Sequence, residues 1–80
     1  DLSPYGTMLF TRNKDVPGVI GKVGTILGKA KVNIGGYLLS RDKNDNEAFS
    51  VVRVDSSVSH KVISELKKLT EIISVQQLHC

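Results

Sequence analysis

Eighty residues make one small domain, near the size at which burying apolar surface only just offsets the entropy of ordering the chain, so partners are expected. Apolar residues are 40% of the chain, with two Phe, two Tyr and no Trp, enough for one packed sheet-plus-helix layer but little room for an enclosed catalytic cavity. The net charge of +3 comes from eleven basic residues scattered among eight acidic ones, and no basic run is interleaved with aromatics, which argues against a nucleic-acid partner.

Residues 5–12 (Tyr-Gly-Thr-Met-Leu-Phe-Thr-Arg) are rich in β-formers and predict a first strand, ended by a polar turn at Asn13-Lys14-Asp15. Pro17 suits the first turn of a helix, where its missing N–H loses no partner. Val19, Ile20, Val23, Ile26, Leu27 and Ala30 then recur with the spacing of one apolar helical stripe. Gly21, Gly24 and Gly28 lie nearly opposite that stripe, each at a cost of about 1 kcal/mol relative to Ala. Either another backbone or partner approaches this bare face closely, or the packed stripe simply carries tolerated glycines.

Asn33 to Arg41 reads as a second strand, Asp42-Lys-Asn-Asp-Asn46 as a hairpin turn, and Glu47 to Val54 as a third strand. Ser57 or Ser59 can cap a second helix with the stripe Val62, Ile63, Leu66 and Leu69, and Lys67 and Lys68 sit favourably near its C-terminal end. Residues 72–78 close the chain as a fourth strand. The order is that of a ferredoxin-like βαββαβ fold of the α+β class, with one antiparallel four-stranded sheet and both helices on one face. The usual strand order of that topology, 4-1-3-2, leaves the second strand on an edge, and an exposed edge is a template for pairing. A single domain over residues 1–80, with its core in 5–79, is expected.

The turn before the first helix carries the chemistry. Gly18 and Val19 offer backbone N–H groups where the helix dipole favours a carboxylate or phosphate, and Gly18 has no side chain to obstruct an anion. Asp15 and Asn13 supply oxygens for a ligand ammonium, so both halves of an amino-acid zwitterion are provided for. Capping of the helix by Asp15, and a turn role for Asn13, are the plain structural alternatives. Asn33, between helix and strand, reads equally as a turn residue.

The run DVPGVIGKVGTILGKAKVNIGGYLLSR followed by EAFSVVRVD resembles the ACT domain family, amino-acid-sensing modules attached to metabolic enzymes, and the similarity covers residues 7 to 79. Within that family PGVIGKVGTILG, the VNI strand start and VD before the second helix are most similar to the C-terminal domains of D-3-phosphoglycerate dehydrogenases, with the domain of bacterial L-serine dehydratase as the competitor. The resemblance implies a regulatory chain without catalytic residues, whose parent dehydrogenase uses NAD in serine biosynthesis. It implies edge-to-edge homodimers through the second strand, with an effector site shared between chains that binds L-serine. Its ligand positions fall on Asn13, Asp15, Gly18, Val19 and Asn33. Serine-sensing members can carry His and Asn where this chain has Asn13 and Asp15, and an Asp there favours an ammonium while repelling a second carboxylate. A module that pairs edges and senses nothing is the alternative.

The remaining residues add little. His60 and His79 have no nucleophile or carboxylate at a spacing that argues a triad or a metal site, and Lys14, Lys22, Lys29 and Lys31 ring the first helix, as a solvated face or as a contact for an acidic partner. The one cysteine, Cys80, is terminal, so a reducing, cytoplasmic compartment is expected. No apolar run approaches the roughly 20 residues that span a bilayer, so no membrane partner is expected. The start Asp1-Leu-Ser-Pro-Tyr, without Met, suggests a piece of a longer protein.

Overall fold

The computed structural model describes residues 6–79, so the expected strand residue Tyr5 and the terminal Cys80 lie outside the described residues. Six elements follow in the predicted order: β1 (Thr7–Lys14), α1 (Val19–Lys29), β2 (Ile34–Asp42), β3 (Glu47–Val54), α2 (His60–Lys67) and β4 (Ile72–His79). The sheet is antiparallel throughout, in the order β2-β3-β1-β4, which leaves β2 and β4 as its edges. This is the ferredoxin-like βαββαβ arrangement expected from the sequence.

Alternation along the central strands shows which face is covered. Leu9 and Thr11 of β1 and Ala48, Ser50, Val52 and Val54 of β3 are buried, whereas Phe10 and Phe49 point to the open face. The core joins Leu9, Val52 and Val75 of the sheet to Val19, Val23 and Leu27 of α1 and Leu66 of α2. On the open face the Arg12 guanidinium sits 6.0 Å from the Phe49 ring centroid and donates from Nε to Glu47 Oε1 at 2.7 Å. Tyr37 belongs to the other face, where its hydroxyl donates to Ser50 Oγ at 3.3 Å.

Four local expectations change. Asn13 and Lys14 extend β1 instead of turning: they pair with Ala48 and Glu47 of β3, and Lys14 N–H donates to Glu71 O at 2.8 Å. A ladder on both sides outweighs their turn preference. Pro17 precedes α1, because Gly18 is the N-cap, with φ 89° and ψ −8°, a left-handed conformation that glycine adopts without the Cβ penalty. No side chain caps α1, so Asp15 is not a helix cap. Ile20, counted in the apolar stripe, is 49% exposed, because it lies on the flank of the Val19-Val23-Leu27 line.

Of the two capping candidates in α2, Ser59 is the one used, accepting from Val62 N–H at 3.3 Å. The glycine face of α1 is open: a Cβ built at Gly21, Gly24 or Gly28 meets nothing within 4 Å, so no backbone of another element approaches it among the described residues.

Candidate functional site

Three segments build a cleft of about 200 Å³ at one end of the helix-covered sheet face. The end of β1 brings Asn13, the loop and first turn of α1 bring Asp15 to Gly21, and β2 and β3 bring Leu39, Arg41 and Ala48. Four of the five residues singled out by the sequence, Asn13, Asp15, Gly18 and Val19, therefore meet in one place. The size suits a small metabolite better than a drug-sized ligand, for which about 300–1,000 Å³ is usual.

Sheet register explains the meeting. Asn13 pairs with Ala48, which pairs on its other side with Arg41, so these three residues form a row across β1, β3 and β2. Asp15 is pinned beside that row by its N–H, which donates to Asn46 O at 2.8 Å and ties the loop to the β2–β3 hairpin. Asn13 is only 5% exposed; its Nδ2 donates to Lys14 O at 2.9 Å, and its Oδ1 has no hydrogen-bond partner among the described residues.

The electrostatics are of both signs. Arg41 Nε stands 3.3 Å from Asp15 Oδ1, with the Arg41 side chain 63% exposed and that of Asp15 31%. The first-turn N–H groups of α1 have no intrahelical acceptor and no side-chain cap, so Gly18 and Val19 remain available to an anion. The cleft thus offers a carboxylate and an amide oxygen for a cation, and backbone N–H groups and a guanidinium for a carboxylate.

Asn33 is not in this cleft. It precedes β2 at the opposite end of the sheet, where Ile34 pairs with Val54 and Val54 with Thr7. Asn33 is engaged within its own chain: its N–H donates to Asp55 Oδ1 and its Nδ2 to Asp55 Oδ2, both at 3.0 Å, while Asp55 N–H returns a bond to Asn33 O at 3.1 Å. These bonds hold the Asp55 carboxyl below its ordinary pKa, because they favour its charged form. Asn33 Oδ1 has no partner among the described residues.

Arg41, Leu39 and Ala48 were missed by the sequence reading. An arginine at the end of a strand carries no signal of its own; only the register beside Ala48 and Asn13 brings it to the loop. The other side chains weighed in the sequence lie apart from the cleft. Lys22 pairs with Glu71, whose carboxyl is thereby held below the usual range, His79 Nδ1 lies 3.0 Å from Thr7 Oγ1, and His60 is exposed at the start of α2. No cluster of three or more metal-ligating side chains occurs among the described residues, and no helix is long and apolar enough to cross a membrane.

A βαββαβ unit with a zwitterion-sized cleft at the β1–α1 turn defines a class of small regulatory modules, and the ACT domain family model matches residues 7–71. The chain belongs to the ACT domain family. Its relatives by sequence include D-3-phosphoglycerate dehydrogenases of Bacillus subtilis (33% identical, covering 95% of this chain and 14% of the relative), Archaeoglobus fulgidus (36%, 88% and 14%) and Mycobacterium leprae (41%, 82% and 12%). The chain thus spans about one-seventh of the length of these relatives. Among solved structures, the fold is similar to the ACT domain of a GTP pyrophosphokinase of Chlorobium tepidum, with a TM-score of 0.70 at 14% identity over 92% of this chain and 97% of that one. A homoserine dehydrogenase of Thiobacillus denitrificans gives 0.75 at 15% identity over 94% and 17%.

Proposed function

We propose that this ACT domain is the amino-acid-sensing part of a D-3-phosphoglycerate dehydrogenase in L-serine biosynthesis, and that its effector is L-serine bound between two copies of the domain. The observation that carries this reading is the convergence of Asn13, Asp15, Gly18 and Val19 on one small cleft with separate places for an ammonium and a carboxylate. The similarity to D-3-phosphoglycerate dehydrogenases favours that parent over L-serine dehydratase. The parent's catalytic domains would hold NAD and work in the cytoplasm; this domain adds no catalytic group.

Leu39 and Arg41 of the edge strand β2 line the cleft. Antiparallel pairing of β2 with β2 of a second copy reverses one protomer against the other. It carries Asn33 of the partner subunit toward the cleft from which this chain's own Asn33 is absent. The clasp to Asp55 then has a use, since it fixes the Asn33 amide with Oδ1 free to accept from the ligand. Serine bridging two copies biases their relative orientation, and the catalytic domains feel this through a coupling free energy of about 1–3 kcal/mol.

Thermal unfolding with L-serine, and with glycine and L-phenylalanine as comparisons, tests the reading when the mass in solution is measured alongside. Serine at 100 times its dissociation constant should stabilise the fold by about 2.7 kcal/mol. A dimer indifferent to every amino acid would sink the sensor and favour a module that only assembles.

A further inference from the structure

The site holds one charged side chain that its family resemblance did not point to. Arg41 sits on the free edge strand, in register with Ala48 and Asn13, and forms the wall of the cleft facing the start of α1. Its one ion pair among the described residues runs from Nε to Asp15 at 3.3 Å, so its two terminal nitrogens carry no protein partner there. Asn13, 95% buried, lines the same cleft, and its amide oxygen has no hydrogen-bond partner among the described residues. Arg41 therefore lies against the carboxylate that an incoming ammonium needs.

The geometry points to Arg41 as the specificity-determining residue of this site: the guanidinium takes the α-carboxylate of the amino acid, and Asp15, relieved of Arg41, takes the ammonium. This rests on the reading of the cleft as an amino-acid site. Binding exchanges one exposed ion pair for two ligand pairs. Because an exposed pair contributes little by itself, the exchange costs the protein little. The guanidinium is a planar fork with five donors, which matches a carboxylate with two parallel bonds better than scattered N–H groups do. Arg41 also explains how a site carrying Asp15 tolerates an anion: without it, the Asp15 carboxylate would repel the ligand's own. A neutral carboxamide in place of the carboxylate should bind poorly, and Arg41 should be the reason.

The test compares L-serine with L-serinamide, which keeps the ammonium and hydroxyl but has no carboxylate, by calorimetric titration of the chain and of Arg41→Gln. Arg41 is largely exposed, so the variant is expected to fold, and its unfolding temperature checks this. Wild type should prefer serine to serinamide. Arg41→Gln should lose about tenfold in serine affinity and most of that preference, and Arg41→Lys should recover part of it by keeping the charge without the fork. If wild type binds serine and Arg41→Gln binds it equally, with the preference intact, Arg41 is not the carboxylate group, although the amino-acid reading stands. If wild type binds no amino acid by calorimetry or by thermal shift, both readings fall together.

Discussion

At the scale of single residues, Asn33 has two roles that one position must reconcile. As a structural residue it clasps Asp55 with its backbone and side-chain nitrogens, and as a proposed ligand it keeps only its amide oxygen. The clasp predicts a pH dependence. The Asp55 carboxyl titrates lower in the folded chain than in the unfolded one, so the folded state binds fewer protons. Its stabilising contribution is present above the ordinary carboxylate pKa of about 3.9 and is lost as the pH falls through the depressed folded value. The gap in unfolding temperature between wild type and Asp55→Asn should accordingly be widest near neutrality and close in acid. A gap that stays constant with pH would mean that the charge of Asp55 has no part in the clasp. Gly18 has a comparable double duty, since its left-handed φ of 89° begins α1 and the same residue lines the cleft.

At the scale of elements, the two helices are held in different ways. α2 has a side-chain cap in Ser59, whereas α1 has none and contains three glycines, so α1 depends on its packed line of Val19, Val23 and Leu27. Leu27, fully buried, is the largest side chain in that line. Leu27→Ala should cost about 2–5 kcal/mol, against about 1 kcal/mol for Ser59→Ala. Urea unfolding would show this as a lower midpoint at constant slope, and equal losses in the two variants would refute it. Because α1 also lines the cleft with Gly18 and Val19, loosening it should weaken binding of the proposed effector as well.

For the whole molecule, the proposed dimer turns on which edge pairs. Both β2 and β4 have one free edge among the described residues, and both expose apolar side chains, Leu38 and Leu39 on one and Ile73 and Leu78 on the other. The cleft is lined by Leu39 and Arg41 of β2 and by no residue of β4, so the proposed shared site favours pairing through β2, although neither edge strand carries a proline or a lysine to discourage it. If the proposed dimer forms through β2, Leu39→Lys should weaken it by about 1 kcal/mol over two symmetric contacts, roughly fivefold in the dimer constant, while Leu78→Lys leaves it intact. Sedimentation equilibrium distinguishes the two edges; the reverse ranking would assign the interface to β4 and leave Asn33 of the partner subunit remote from the cleft.

How much could be read in advance follows from the range of the forces involved. Element type and order were legible, because the stripes Val19-Val23-Leu27 and Val62-Leu66, the alternation of Glu47 to Val54 and the polar turn 42–46 are local patterns, and a βαββαβ order admits few topologies. Asn13, Asp15, Gly18 and Val19 were legible as a group for the same reason, lying within one turn of the chain. Tertiary structure decided the rest. It drew Asn13 and Lys14 into β1 through ladders on both sides and replaced the helix cap at Asp15 with an ion pair. It also set Arg41 beside the cleft through Ala48, and placed Asn33 at the far end of the sheet in the grip of Asp55. Each of these depends on register between segments distant in sequence. Register is settled by which faces are buried when the whole sheet forms, so no local pattern carries it.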